Sequence, residues 1–168
     1  MQTFPLAHPT PDWPRSRLIQ HGLDRYCQLA RCMLGRPGDS QRPFRQNGRL
    51  KATVIRLHTA LDHICPSDLR VFAGVAARHM RQLLCELASG AVAGFAGRDV
   101  TGWGVFHAMV DDLPEHEREV LDLLLYWGLK LAEAAGVLGI SPGDVECRWR
   151  EARCMLQNAL HNWIRTQR

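Results

Sequence analysis

The chain has 168 residues, 46% of them hydrophobic, which is enough for one ordinary domain or for two small ones. Its net charge of +4 is unevenly placed: residues 1–88 carry 13 Lys/Arg against 6 Asp/Glu, residues 89–168 carry 8 against 11, and a basic half is the usual mark of attraction to phosphate. No stretch has the continuous apolar character of a signal peptide or a membrane span, so we expect a cytoplasmic protein with no membrane partner.

Three helical patterns follow an N-terminal extension of residues 1–17. They cover residues 18–34, roughly 49–64 and 67–88. Ser67 is the predicted cap of the third pattern. Its apolar residues are spaced for a helical core: Phe72, Val75, Ala76, Leu83, Leu84 and Leu87. Because no strand pattern or internal repeat is present, the sequence predicts an all-α protein.

A glycine-rich connector separates the two halves of the chain. Glycine recurs at positions 90, 94, 97, 102 and 104, and the stretch has neither helical nor strand periodicity. The sequence therefore predicts a linker over residues 89–104. It would join two small helical domains, residues 18–88 and residues 105–168.

The second half opens with a helix-start signal. Asp112 and Glu115 have the spacing of a capping box, and Pro114 lies in the predicted first turn. Gly128 is the predicted end of this helix. The apolar residues between these signals have helical spacing: Val120, Leu121, Leu124 and Leu125.

A tight turn is predicted between the next two helices. The first helix covers residues 131–138 and should bury Ala132, Ala135 and Leu138. Gly139 can adopt a positive φ, and Ile140 fills the angle between the helices. Ser141 caps the following helix, in which Pro142 is the first residue.

The last helix has one apolar and one charged side. Val145, Trp149, Ala152 and Leu156 form its predicted buried stripe. The side chains left facing outward are Asp144, Glu146, Arg148, Arg150 and Arg153. Two helices with a glycine turn and a basic outer face predict a helix-turn-helix, whose last helix would enter a DNA major groove.

This second half resembles the promoter-reading region four of a bacterial RNA polymerase sigma factor of the extracytoplasmic-function (ECF) type. The resemblance rests on the run LPEHEREVLDLLLYWGLKLAEAAGVLGISPGDVECRWREAR, in which an LPxxEREV helix precedes an AEAAxxLGxS helix and turn. It implies DNA contacts by Lys130, Ser141, Pro142, Gly143, Glu146, Arg148, Arg150 and Arg153.

The first half resembles region two of the same family, on helix order and apolar spacing. The segment LKATVIRLHTALDHI is similar to the helix that docks on the polymerase clamp, which implies polymerase contacts by Asn47, Leu50, Val54, Leu57 and Leu61. The segment VFAGVAARHMRQLLCELA is similar to the helices that melt and read the minus-ten element. It implies DNA contacts by Arg70, Phe72, Arg78 and Arg81.

Two features depart from the family pattern. Asn47 and Gly48 stand where the docking helix usually has an acidic pair, which removes charge complementarity to a basic clamp surface. The recognition helix carries Asp144 and Glu146, which would repel phosphates, although a Glu can also accept a hydrogen bond from cytosine N4.

No catalytic or metal-binding constellation is present in the sequence. The six cysteines form no CxxC pair, the histidines lack ligand spacing, and no phosphate loop or nucleophile elbow occurs. We therefore expect no enzyme activity, cofactor or metal. The expected partners are core RNA polymerase, promoter DNA and, in regulation, an anti-sigma factor.

Two alternatives remain open at this point. A sigma-like regulatory or interaction module could retain the fold without binding polymerase or promoter, and the two departures would explain that loss. A helix-turn-helix repressor with an unrelated N-terminal dimerisation domain would form a stable homodimer on palindromic sites. A sigma factor, in contrast, is expected to be a monomer when free.

Overall fold

The computed structural model describes residues 13–34, 48–65, 68–91 and 100–166. Every regular element within these ranges is helical, which confirms the predicted all-α class. In chain order the elements are α1 (Arg15–Leu34), α2 (Gly48–His63), α3 (Leu69–Ala91), α4 (Val100–Asp111), α5 (Glu115–Leu121), a π-helical turn (Asp122–Tyr126), α6 (Leu131–Leu138) and α7 (Pro142–Thr166).

The first three helices pack in sequence, with α1 on α2 and α2 on α3. They lie within a few residues of the three predicted patterns. The cap of α3 is Asp68, whose carboxylate accepts the backbone N–H of Val71 at 2.7 Å. The predicted cap Ser67, like residues 1–12, lies outside the described ranges.

The predicted linker over residues 89–104 is longer than the structure allows. Its first three residues still belong to α3, and Val100 already begins α4. Gly104 lies inside α4, where its missing side chain lets α4 approach α3 closely: a Cβ at this position would meet the Cβ of Ala88 at 3.1 Å. Gly104 therefore allows α3 and α4 to pack closely. Of the predicted linker, only residues 92–99 lie outside the described ranges.

The helix start predicted at Asp112 is also displaced. α5 begins at Glu115, and Pro114 is its capping residue without a side-chain hydrogen bond. The carbonyl of Pro114 accepts the N–H of Arg118 at 2.9 Å. The helix then widens into the π-helical turn and ends at Gly128, which has the positive φ of 75° expected of a glycine stop.

Trp127 joins the two halves of the chain. Its fully buried ring lies edge-on to Phe72 of α3, with 5.6 Å between ring centroids, and tilted against His21 of α1 at 5.1 Å. One set of buried side chains runs from α1 through to α7. The division into two domains stays a prediction.

Among the described residues, none of the helices combines the length and the apolar character that crossing a membrane requires.

Candidate nucleic-acid interface

α6, the turn and α7 lie at the positions that the sequence predicts. Gly139 adopts the left-handed conformation, with φ 67° and ψ 30°, and its N–H donates to the carbonyl of Ala135. At the other end of α6, the carboxylate of Glu133 accepts the N–H of Lys130 at 2.8 Å. Both ends of this eight-residue helix are thus satisfied by local hydrogen bonds.

The start of α7 is closed by a reciprocal cap between Ser141 and Asp144. Ser141 Oγ accepts the N–H of Asp144 at 3.1 Å, and it donates to the Asp144 carboxylate at 2.7 Å. The same carboxylate accepts the N–H of Ser141 at 3.3 Å. Asp144, which departs from the family pattern, therefore has a structural role as the capping-box acid, where it also complements the positive helix end.

The buried stripe of α7 follows the prediction. Val145, Ala152 and Leu156 are buried, and Trp149 is partly buried against the same core. On α6 the prediction is wrong at one residue, since Ala132 is exposed and Ala134 is buried in its place. Compared with the prediction, α6 is turned about its axis, so that Ala134 and Leu138, four residues apart, both face the core.

The outer face of α7 carries the predicted cations in solvent. Arg150 and Arg153 are exposed, whereas Arg148 is partly buried. The carboxylate of Glu146 lies 3.5 Å from the guanidinium of Arg150, one turn away on the same face. An exposed i, i+4 pair of this kind contributes only a few tenths of a kcal/mol, so Arg150 remains available to a stronger anion.

The three remaining predicted contacts lie at the starts of two helices, Lys130 at α6 and Pro142 and Gly143 at α7. Lys130, Pro142 and Gly143 are all exposed. Ser141, Pro142 and Gly143 expose backbone at the positive end of a 25-residue helix. Such an end attracts phosphate oxygens.

Two of the predicted region-two contacts, Phe72 and Arg81, lie in the core, so this prediction is wrong for them. Phe72 is fully buried against Trp127, so its ring cannot stack on a base. Arg81 is 2% exposed and is bound by the carboxylates of Asp111, at 2.8 Å, and of Asp122. A cation held by two carboxylates in the interior cannot also track a DNA strand.

The other two region-two residues lie at the surface. Arg70 donates two hydrogen bonds to the carboxylate of Glu119 on α5, at 2.7 and 2.8 Å. Arg78 is exposed on α3, and no ion pair of Arg78 is found among the described residues.

The predicted polymerase-binding set is mostly core as well. Leu50, Leu57 and Leu61 are buried, and Val54 is only partly exposed, because this apolar stripe is the side on which α2 packs against α1 and α3. These residues cannot be the contact surface while α2 is packed, which corrects the prediction. Asn47 lies outside the described ranges. The exposed side of α2 instead presents Lys51, Ala52, Ile55, Arg56, His58, Thr59 and Asp62.

The sequence did not predict a buried polar cluster formed by Arg81, His107, Asp122 and Tyr126. His107 Nδ1 lies 2.7 Å from the hydroxyl of Tyr126, and the guanidinium of Arg81 lies 5.1 Å from the Tyr126 ring centroid. Burial, followed by the positive charge of Arg81, lowers the pKa of His107 to about 4. The available signal was Asp122, a lone acid inside the apolar run that precedes Gly128.

Burial also raises the pKa of Asp122, to about 6, although Arg81 opposes this shift. The cluster is therefore a set of mutually satisfied groups that connect α3, α4 and the π-helical turn. No group of three or more His, Cys, Asp or Glu side chains suited to a metal ion occurs in the part of the chain that the structure describes.

No protein-family model and no curated protein matches this chain.

Proposed function

We propose that the chain is an RNA polymerase sigma factor of the ECF type. It binds core polymerase, directs it to a promoter through α6 and α7, and assists strand opening with its first half. It acts in the cytoplasm, is a monomer when free, and carries out no covalent chemistry. An anti-sigma factor is the regulatory partner that the resemblance of residues 113–156 implies.

One observation carries this proposal. The buried stripe of α7 faces the core beyond left-handed Gly139 and the Ser141 cap, and Arg150 and Arg153 are exposed on the remainder of the helix. A helix held at such a turn, with cations on its outer face, has the geometry that enters a major groove. The exposed Lys130 adds a cation at the start of α6.

The test is duplex DNA binding measured by fluorescence anisotropy over a series of salt concentrations. We expect Arg150→Ala and Arg153→Ala each to weaken binding to a mixed-sequence duplex and to reduce the salt slope by about one, because each change removes one phosphate contact. Arg165→Ala is the matched control. Arg165 is an exposed arginine on the same helix, and it lies about three turns beyond Arg153 and about four beyond Arg150. Its loss should leave the salt slope unchanged.

Equal effects of all three variants would show a general charge effect and would count against groove binding by α7. No effect of any variant would favour the second candidate, a sigma-like interaction module. The packing of Phe72 and Arg81 favours that candidate, since it removes two predicted DNA contacts. A pull-down with core polymerase then shows whether such a module still binds polymerase or has lost both partners, since only binding to both polymerase and DNA fits a sigma factor.

A further inference from the structure

Two cysteines lie at the centre of the solvent-facing side of α7. Both are exposed, Cys147 in the second turn of the helix and Cys154 about two turns further on. Nine residues correspond to about two and a half helical turns, so Cys147 lies opposite the buried Leu156 and Cys154 lies opposite the buried Val145. The two thiols therefore lie along one line on the side of α7 that is turned away from the core.

The same side carries a cation on which the proposed DNA contact depends. Arg150 follows Cys147 by three residues and precedes Cys154 by four, so it lies within about one turn of each thiol. If α7 enters a major groove with Arg150 towards the phosphates, both cysteines enter with it. The groove is about 12 Å wide and a helix with its side chains is about 10–12 Å across, so no room remains for a group attached to either sulfur.

The two thiols cannot bond to each other. Seven residues of helix separate the Cα atoms of Cys147 and Cys154 by about 10 Å, whereas a disulfide requires a separation of about 4.4–6.8 Å. Reaction of one thiol with a disulfide from solution therefore leaves a mixed disulfide that the other cysteine of α7 cannot displace.

The immediate neighbours of the two thiols differ. The Cys147 thiol donates to the carboxylate of Glu151 at 3.6 Å, and the negative charge of Glu151 raises the pKa of Cys147. Cys154 Sγ instead accepts a hydrogen bond from the side-chain amide of Asn158 at 3.8 Å. Because the thiolate is the reactive form of cysteine, Glu151 slows the reaction of Cys147, and Cys154 is the faster of the two sites.

We propose that Cys154 is a modification site for low-molecular-weight disulfides such as glutathione disulfide, and that a mixed disulfide at this position blocks DNA binding by α7. The inference rests on the proposed function for the identity of what is blocked. The Cys154 thiolate attacks one sulfur of the disulfide, a bond forms between these two sulfurs, and the S–S bond of the reagent breaks. The second sulfur of the reagent leaves as a thiolate and takes up the proton that Cys154 lost. A thiol reductant reverses the exchange.

Reactivity is tested by treating the chain with glutathione disulfide and following the mass of each cysteine-containing peptide over time. We expect Cys154 to be modified several times faster than Cys147. Glu151→Gln keeps the size of the side chain and removes its charge, so it should narrow this difference by speeding the modification of Cys147. Mixed-sequence duplex DNA should protect both cysteines of α7 and leave the exposed Cys65, which follows α2, unprotected.

DNA binding is tested by fluorescence anisotropy with the same duplex, at a reaction time when Cys154 is the modified cysteine of α7. Each protein is compared with its own untreated sample. The wild type should lose about tenfold or more in affinity, because the adduct excludes α7 from the groove and its carboxylates repel phosphate, and reductant should restore binding. Cys154→Ser should keep its affinity through the treatment. Cys65→Ser is the matched control and should lose affinity as the wild type does.

The two measurements separate the possible failures. Modification of Cys147 as fast as Cys154, unchanged affinity of the modified wild type, or an equal loss in treated Cys154→Ser would overturn this inference and leave the proposed function standing. Failure of the untreated wild type to bind duplex DNA would contradict the proposed function, and the block of DNA binding with it, whatever the rate at which Cys154 reacts.

Discussion

At the scale of single residues, the environment of His107 predicts how folding stability depends on pH. It is buried beside the Tyr126 hydroxyl, and its pKa of about 4 in the folded chain compares with 6.5 for an ordinary histidine. Between these two values the unfolded chain binds a proton that the folded chain does not. Folding stability contributed by this side chain is therefore complete above pH 6.5 and is lost as the pH falls towards 4.

We expect His107→Gln to remove this dependence while keeping a polar side chain near Tyr126. When the pH is lowered from 7 to 5, the wild type should lose about 2 kcal/mol in free energy of unfolding relative to the variant. Urea unfolding of both proteins at the two pH values measures it. A difference that stays constant with pH would contradict the assigned environment.

Asp122 acts in the opposite direction over the same range. Because its pKa is raised to about 6 in the folded chain, its contribution is present at low pH and is lost as the pH rises through 6. This contribution is common to wild type and His107→Gln, so the comparison of the two proteins isolates the histidine. The pH dependence of the wild type alone would mix both groups.

At the scale of elements, two glycines inside helices have different roles. Gly74 in α3 has open space where a Cβ would lie, whereas a Cβ at Gly104 in α4 would meet Ala88 of α3 at 3.1 Å. Alanine is the better helix former at both positions. The difference between the two substitutions therefore measures how closely α3 and α4 must approach.

We expect Gly74→Ala to stabilise the chain by about 0.5–1 kcal/mol, because it restricts the unfolded state and meets no neighbour. Gly104→Ala should instead destabilise it by about 1 kcal/mol, since the two helices must move apart. Thermal or urea unfolding of the two variants measures both effects. An equal gain in both would mean that α4 does not pack on α3 at this distance.

The sequence was sufficient where local chemistry decides the structure. The span of α6, the left-handed Gly139, the Ser141 cap and Pro142 at the first position of α7 were all predicted, because each depends on residues within one or two turns. The outer face of α7 followed from the same periodicity. Most of the candidate site on α7 could therefore be predicted from the sequence.

Prediction was wrong where tertiary packing decides. Gly102 and Gly104 are typical of a linker in the sequence, yet both lie within α4, which packs against α3. An arginine on a predicted surface was buried because two carboxylates distant in sequence, Asp111 and Asp122, satisfy it. The packed glycines have no local signal. Asp122, a lone acid in an apolar run, does signal a buried polar group, but no local feature identifies Arg81 as its partner or predicts the π-helical turn.

At the scale of the whole molecule, the two halves of the chain carry net charges of opposite sign. The first half has an excess of positive charge and the second an excess of negative charge, and an ion pair joins Arg70 of the first to Glu119 of the second. Charge complementarity within the free chain thus uses a cation that the proposed function assigns to DNA. Under the proposed function, a DNA phosphate that binds Arg70 has to displace Glu119.

The most direct test of the central claim is transcription by core RNA polymerase from a randomised promoter library, with the 168-residue chain as the only added initiation factor. We predict retention of the chain on polymerase and transcripts from a subset of templates that share two upstream motifs. A chain carrying both Arg150→Ala and Arg153→Ala should lose this selection, and Arg165→Ala should keep it. Absence of both polymerase binding and selected transcripts with the wild-type chain would contradict the account.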